Sequence, residues 1–362
     1  MNLTESRTRL VNAAGSQTED IGVPPSRANL FAKCHESAQT FVLSTAKNGH
    51  VTQCIAVANL IGVEIEEVLQ VPGLNKALPN WRRELDKVRW LLPALRMVWR
   101  FRRGKFLILA SGRSVLVACR LIKLLRGDDV FILFIGSPKN WTTKCTDVML
   151  RPKHEREADR FEKNRYPWKP KQVWVDSPIC RPLPVSASHQ SGIAVLLGGL
   201  NITYGDEIED YSDFLDKLET LVKVHPVSIV FSRRTKAEVE EAIGQRFRHT
   251  KAKLVDAADR QGFLAACEGA GAFVVTPDSI TMVAEACATG KPVYTAKLRV
   301  KRGGTRNHRF IETSLKNGYV QQFDGDINFE RRSVDRADVE AARRDITGYI
   351  EAWMRDPSAL SS

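Results

Sequence analysis

The sequence lacks several features that would assign it to a common class. It has no run of about eighteen apolar residues, the length that a membrane-spanning helix needs. The first residues, Met1–Ser6, lack the basic and then apolar pattern of an export signal, so we expect a cytoplasmic protein. Neither a phosphate-loop Gly-Lys-Ser/Thr motif nor a Gly-x-Gly-x-x-Gly fingerprint is present, which argues against nucleotide binding by those two architectures.

Metal-ligand spacing is also missing from the cysteines. The seven cysteines are scattered, and most lie in apolar helical patterns rather than in closely spaced pairs. This distribution predicts reduced, buried thiols in a reducing compartment and no zinc site.

Negative charge is scarce in one segment. The chain has a net charge of +12, and residues 81–126 hold thirteen Lys or Arg against only Glu84 and Asp86. Apolar residues recur among them at near-helical spacing, which predicts a basic amphipathic segment bent near Pro93. Two interpretations fit: contact with an anionic membrane surface, or an apolar face buried in the core. Nucleic acid is a weaker candidate, because no binding module is recognisable.

The order of predicted elements indicates an α/β protein. With 362 residues and 43% hydrophobic composition, the chain is long enough for two domains. Strands and helices alternate from about Thr40, pause at a proline-rich stretch, and alternate again, which predicts two Rossmann-like, doubly wound domains facing a central cleft. We expect a flexible tail at 1–39, domains at 40–185 and 186–335, and a helix at 336–362 that packs back across the domains.

The most informative motif ends a predicted strand near Thr276. The apolar run halts at Pro277-Asp278-Ser279 and turns into a helix, so a capped helix N-terminus, which attracts anions, follows the strand. Glu285, further along that helix, is placed to accept hydrogen bonds from a ribose. The plainer alternative is that Asp278 or Ser279 only caps the helix and that Glu285 is a solvated surface residue.

Polar residues follow two other predicted strands of the same domain. Because the carboxyl ends of parallel strands meet at one edge of a sheet, we expect these residues to form one pocket for a nucleoside diphosphate-sugar. The glycines would let backbone N–H groups approach a phosphate that an arginine neutralises. The predicted donor-binding residues are Gly198, Gly199, Asn201, Ser232, Arg233, Arg234, Asp278, Ser279, Thr281 and Glu285.

The first domain and the chain after the last strand supply further candidates. His50, at the start of the first helix, is a candidate general base for an acceptor hydroxyl, with a capping role as the alternative. Gln53, Gly112 and Arg113 are candidates for binding the acceptor or a phosphate. A basic loop containing Arg306, His308 and Arg309 is expected either to close over the cleft or to be a mobile surface loop.

Several of these motifs occur together in one known family. They are Gly49-His50-x-x-Gln53, Ser111-Gly112-Arg113, Leu197-Gly198-Gly199, Phe231-Ser232-Arg233-Arg234-Thr235, Thr276-Pro277-Asp278-Ser279 with Glu285 to Val293, and Arg309-Phe310. In them the chain resembles bacterial relatives of the plant mitochondrial-fission factor named for elongated mitochondria, a family of glycosyltransferase-like proteins.

The resemblance implies a GT-B fold, similar also to the lipid-linked peptidoglycan N-acetylglucosaminyltransferase. It further implies that Glu285 holds the ribose of a nucleotide and that no metal or other cofactor is bound. The chain departs from the family pattern at Thr52, where an Asn is usual, and the tail before residue 40 matches nothing.

Three functions fit these observations. The first is a glycosyltransferase that moves a sugar from a nucleoside diphosphate-sugar to an envelope glycan or lipid-linked acceptor, as a peripheral protein at the inner face of the plasma membrane. The second is a non-catalytic, membrane-associated adaptor on the same scaffold, as the plant relative suggests. The third, a sugar-nucleotide epimerase, would need no acceptor.

Overall fold

The computed structural model describes residues 38–45, 48–71, 104–137, 145–156, 170–188, 190–330 and 337–356. Two six-stranded parallel β-sheets organise these residues, and the chain completes the first sheet before it begins the second. Within the described ranges, no helix is long and apolar enough to cross a membrane.

The first sheet takes its strands from residues 38–175. In chain order its elements are β1 (Ala38–Thr45), α1 (Asn48–Ile61), β2 (Glu67–Val71), β3 (Lys105–Ser111), α2 (Val115–Arg126), β4 (Val130–Ile135), β5 (Val148–Pro152) and β6 (Lys171–Val175). The strand order is β2-β1-β3-β4-β5-β6, with every neighbouring pair parallel. The chain therefore reverses its direction of winding between β1 and β3, where a doubly wound sheet opens a crevice.

The second sheet follows the same design. Its elements are β7 (Gly192–Leu196), α3 (Ser212–Val224), β8 (Val227–Val230), α4 (Ala237–Phe247), β9 (Lys253–Val255), α5 (Arg260–Glu268), β10 (Ala270–Val275), α6 (Ile280–Ala288), β11 (Val293–Thr295), α7 (Arg306–Lys316) and β12 (Gln321–Gln322). The order is β12-β11-β10-β7-β8-β9, again all parallel. Here the winding reverses between β7 and β10.

Burial explains the composition of the central strands. All six residues of β4 and all six of β10 are buried, because helices cover both faces of each parallel sheet. The helices instead bury one stripe. In α2, for example, Val115, Cys119 and Ile122 are buried while Arg120, Leu124 and Leu125 are exposed.

A last helix, α8 (Ala337–Arg355), returns from the second domain to the first. Its buried stripe joins the core beneath the first sheet, with the Trp353 ring 5.5 Å from that of Phe131. The indole Nε1 of Trp353 donates a hydrogen bond to the Asp128 carbonyl at 2.7 Å. The second domain thus lies between two segments of chain that both belong to the first.

The predicted pair of Rossmann-like domains is confirmed, with two errors of detail. The proline-rich stretch, where the sequence predicted a pause between the two alternations, contains β6, which pairs with β5 at the edge of the sheet. The basic loop predicted around Arg306 is wrong, because these residues begin α7. The predicted boundary at 185/186 lies between β6 and β7.

Two sequence predictions fall on residues that are not described. Of the expected tail 1–39, residues 1–37 lie outside the described ranges, while Ala38 and Gln39 begin β1. Of the basic segment 81–126, residues 81–103 also lie outside them, and the remainder forms β3 and α2.

The cysteine prediction can be followed at six positions. Cys54, Cys119, Cys145, Cys267 and Cys287 are buried and Cys180 is half-buried, all as free thiols. Burial raises the pKa of the Cys54 thiol to about 12, so this thiol stays protonated.

Candidate functional site

The candidate site lies where the two switch points of the sheets face each other. In the first domain α1 begins just after β1 ends, and in the second α6 begins just after β10 ends. A Cβ atom at Gly49 would lie 3.8 Å from Thr281 Oγ1, so the first turns of α1 and α6 meet across the cleft. Both helix starts are positive dipole ends, which makes the gap between them favourable for an anion.

On the first-domain side, His50 forms a hydrogen bond with a residue that was not predicted from the sequence motifs. Thr45, the last residue of β1, places its Oγ1 2.6 Å from His50 Nδ1. Gly112, after β3, has a φ of +99°, and a Cβ there would lie 2.8 Å from Thr45 Cγ2 and 2.9 Å from His50 Nδ1. The only sequence signal for Thr45 was its polarity at the end of an apolar strand.

The other first-domain candidates lie close by in the chain. Gln53 is half-buried one turn after His50, and Arg113 is exposed next to Gly112. Both lie at the carboxyl end of the first sheet, near the switch point between β1 and β3.

On the second-domain side, the buried Asp278 carboxylate binds groups from three loops, and we call this set of contacts the Asp278 clamp. Its Oδ2 accepts a hydrogen bond from the Gly199 N–H at 2.9 Å, and its Oδ1 accepts one from Thr276 Oγ1 at 2.5 Å. Arg234 Nη2 lies 3.2 Å from Oδ2. Burial raises the pKa of the Asp278 carboxyl, and these donors offset part of that rise.

The Gly198-Gly199 pair is required by this clamp. A Cβ at Gly198 would overlap the Asp278 carboxylate, and one at Gly199 would overlap the Arg234 carbonyl. The N–H groups of Gly198 and Leu200 donate to Thr276 Oγ1 and the Arg234 carbonyl at 2.7 and 3.0 Å. Like the Gly199 N–H, these two groups donate to acceptors of the protein itself, so in this structure they are not free to bind a phosphate.

Two amides fix the backbone at the same point. Asn201 Nδ2 and Asn307 Nδ2 each donate to the Asp278 carbonyl at 2.7 Å. Asn307 lies in the first turn of α7 and was missed by the sequence interpretation. Ser232 Oγ donates to the Gly198 carbonyl at 2.9 Å, so it also braces this loop. Arg233, by contrast, is exposed.

The start of α6 is capped as expected. Ser279 Oγ accepts a hydrogen bond from the Met282 N–H at 3.5 Å, and Thr281 is half-buried in the first turn. Further along the helix, the Glu285 side chain is half-buried and makes no hydrogen bond or ion pair with any described residue. Burial raises the pKa of its carboxyl from 4.5 to about 7.

The first turn of α7 joins the domains. Arg306 forms an ion pair with Glu155, and Arg309 Nε donates to the His154 carbonyl at 3.2 Å. His154 is buried against Phe310, with ring centroids 5.2 Å apart. Burial, with the charges of Arg306 and Arg309, lowers the pKa of His154 to about 3. His308 instead faces Glu312 one turn on, with Nδ1 3.0 Å from Oε2.

Metal ligands do not gather in the described part of the chain. Among these residues, no group of three or more His, Cys, Asp or Glu side chains has the arrangement of a metal site.

Solved structures share this architecture at low identity. A UDP-GlcNAc 2-epimerase from Methanocaldococcus jannaschii has a TM-score of 0.51 at 12% identity, covering 85% of this chain and 92% of that chain. A UDP-forming alpha,alpha-trehalose-phosphate synthase from Burkholderia xenovorans has a TM-score of 0.51 at 9% identity, covering 89% and 100%. MurG of Acinetobacter baumannii has a TM-score of 0.46 at 12% identity, covering 87% and 99%. The fold is the GT-B arrangement of two Rossmann-like domains.

Sequence comparison identifies the family. A curated relative, the mitochondrial fission protein ELM1 of Arabidopsis thaliana, is 24% identical over 228 residues, which cover 53% of this chain and 51% of the relative. The chain thus spans about half the length of that relative. The family model described as Mitochondrial fission ELM1 matches residues 48–344. Because that match spans well over half of the chain, the protein belongs to the Mitochondrial fission ELM1 family.

Proposed function

We propose that this protein binds a nucleoside diphosphate-sugar between its two domains and transfers the sugar to a glycan or lipid-linked acceptor at the inner face of the plasma membrane. The observation that carries the proposal is the Glu285 carboxyl, which is half-buried and unpaired with any described residue. Taking a carboxyl out of water without a hydrogen-bond donor is unfavourable. The hydroxyls of a ribose are donors of suitable size to satisfy it.

The diphosphate has a favourable position beside that ribose. The first turns of α1 and α6 converge near Gly49 and Thr281, so two positive helix ends and a threonine hydroxyl are available to the phosphate oxygens. Arg233 is exposed at the same edge of the second sheet and adds a positive charge. These groups would also stabilise the charge that builds up on the leaving diphosphate.

His50 is the candidate base for the acceptor. In the transfer step an acceptor hydroxyl oxygen bonds to the anomeric carbon, the bond from that carbon to the phosphate oxygen breaks, and the hydroxyl proton passes to His50. Thr45 holds Nδ1 of His50 at 2.6 Å and so orients the ring. Gln53 and Arg113, at the same sheet edge, are candidate acceptor ligands.

Calorimetric titration with UDP- and GDP-sugars tests the proposal. We expect saturable binding by the unchanged protein and at least about tenfold weaker binding by Glu285→Gln, because one good hydrogen-bonding partner is lost. Glu238→Gln, at an exposed position in α4, is the matched control and should bind normally. Absence of binding with every nucleotide would contradict the proposal.

The family match favours a second candidate, a non-catalytic adaptor. The family is named for mitochondrial fission, and the N–H groups of the Gly198 loop are already used within the protein. An adaptor would show no release of nucleoside diphosphate with any acceptor, even where it binds the nucleotide. Release of a nucleoside diphosphate that requires an acceptor would exclude both the adaptor and the epimerase.

A further inference from the structure

Three exposed aliphatic side chains share one corner of the second domain. Leu200, Ile202 and Val300 are 61%, 72% and 45% exposed. Leu200 and Ile202 follow β7, Val300 follows β11, and an antiparallel bridge between Tyr204 and Val300 joins the two loops. We call residues 200–204 and 297–302 the loop corner.

The backbone of the loop corner is held in place. The N–H groups of Lys301 and Arg302 both donate to the Thr203 carbonyl, at 2.7 and 3.1 Å, and the Gly205 N–H donates to the Arg299 carbonyl at 2.7 Å. Asn201 Oδ1 accepts from the Thr203 N–H at 2.6 Å. The aliphatic side chains are therefore presented to solvent by a bonded scaffold, although exposing apolar surface to water is unfavourable.

Positive charge surrounds these side chains. Residues 286–311 contain seven Lys or Arg and no Asp or Glu. Arg299 and Lys301 are paired with Asp210 and Asp206, at 2.5 and 2.6 Å.

Three other basic side chains at this corner have no acidic partner among the described residues. Arg233, Lys297 and Arg302 are exposed and form no ion pair within the described ranges. Arg233 lies beside the loop corner because the Leu200 N–H is bonded to the neighbouring Arg234 carbonyl.

We propose that the loop corner docks this protein on a bilayer that contains anionic lipids. Aliphatic side chains on protruding turns can enter the boundary between headgroups and acyl chains while neighbouring Lys and Arg side chains bind lipid phosphates. A surface that binds another protein typically contributes aromatic side chains to the centre of the interface. Among the described residues, the exposed large apolar side chains are all Val, Leu or Ile.

The docking surface adjoins the candidate site. Asn201 of the loop corner is bonded to the Asp278 carbonyl at 2.7 Å, and Thr305, just after the corner, bonds Thr203 through their hydroxyls at 2.8 Å. A protein docked in this way holds the edge of its cleft next to the lipid surface. Docking does not depend on glycosyl transfer, but it would suit the lipid-linked acceptor of the proposed function.

Vesicle sedimentation with the full chain tests the proposal. The probes are vesicles of phosphatidylcholine alone and vesicles with added phosphatidylglycerol. We expect binding only to the anionic vesicles, and weaker binding as NaCl rises from about 0.1 M to about 0.5 M, because salt screens the contact. Leu200→Ser/Ile202→Ser/Val300→Ser should lower the bound fraction at least about tenfold.

A second variant and a control complete the experiment. Lys297→Gln/Arg302→Gln should remove the preference for anionic vesicles while circular dichroism stays unchanged. Val224→Ser/Leu254→Ser replaces two aliphatic residues of the same domain, 71% and 38% exposed, and should bind as the unchanged protein does.

Two outcomes overturn the proposal. One is no binding to anionic vesicles at low salt. The other is undiminished binding by both loop-corner variants, which would leave the segment 81–126 as the contact. Nucleotide titration of the same preparations tests the proposed function separately. If the unchanged protein binds anionic vesicles but no nucleotide, the proposed function is refuted and the docking surface is not.

Discussion

The Asp278 carboxylate accepts a hydrogen bond from the Gly199 N–H at 2.9 Å, and this contact ties together the ends of the two strands that flank the switch point of the second sheet. The loop after β7 is thereby fixed to the turn after β10, just before the start of α6. Because Asp278 is buried and its oxygens are occupied, it shapes the candidate pocket instead of extending into it.

The close approach at Gly198 predicts a strong effect of a single methyl group. Gly198→Ala would drive a Cβ into the Asp278 carboxylate and should lower the free energy of unfolding by about 2 kcal/mol or more. Gly244→Ala is the control, because nothing lies within 4 Å of its Cβ and the residue is inside α4. That change should stabilise the protein by about 0.5–1 kcal/mol. Urea unfolding measures both, and equal effects would contradict the clamp.

Burial of Glu285 predicts a pH-dependent stability. Its pKa is about 7 in the fold against 4.5 for an ordinary glutamate, so the folded state keeps a proton that the unfolded state releases. The stability that this group contributes is full below pH 4.5 and falls by about 3 kcal/mol as the pH rises to 7. Glu285→Gln should therefore be more stable than the unchanged protein at pH 8, with little difference at pH 4.5. A constant difference between the two in urea unfolding would argue against the buried carboxyl.

His154 predicts the opposite slope on the acid side. Burial, with help from Arg306 and Arg309, lowers its pKa to about 3 from 6.5, so the unfolded state takes up a proton that the folded state refuses. The fold should lose about 2 kcal/mol from this residue between pH 6.5 and pH 5. His154→Phe should remove that part of the acid sensitivity, as measured by unfolding at both pH values. The same loss in protein and variant would contradict it.

The Thr45–His50 contact predicts a kinetic effect if the proposed transfer occurs. Thr45→Val keeps the shape but removes the hydroxyl that orients His50, so kcat should fall by about tenfold while the KM for the nucleotide-sugar is unchanged. Thr40→Val makes the same change five residues earlier in β1 and is the control. Release of nucleoside diphosphate is the readout. An unchanged kcat for Thr45→Val would show that His50 needs no such support.

The elements that the sequence predicted well are those with a strong apolar pattern. β4 and β10 are continuous apolar runs, and α2 has a clear stripe, so their type follows from burial alone. β6 was missed because only alternate residues are buried and prolines surround it. α7 was taken for a loop because of Gly303-Gly304 and the basic residues, although Phe310, Ile311 and Ser314 form a helical stripe.

Part of the candidate site could also be predicted. Each named position after β7, β8 and β10 lies at the carboxyl edge of the second sheet, since parallel strands bring their ends together. The roles of these residues were less predictable. The Gly198 N–H donates to another residue of the protein, and two residues of the site, Thr45 and Asn307, were not predicted from the sequence.

The sequence by itself determined the two alternating α/β domains and the strand ends where polar residues gather, because the apolar pattern of each element and the alternation of strands and helices are local properties of the chain. Tertiary structure alone decided which of those polar groups are hydrogen-bonded to one another. Asp278 meets Gly199 across 79 residues of chain, and Arg309 meets His154 across 155. Such pairings depend on how two sheets and two domains pack, and no local pattern encodes that distance. The packing left Glu285 without a partner in the described chain, and it set three aliphatic side chains facing outward among cations.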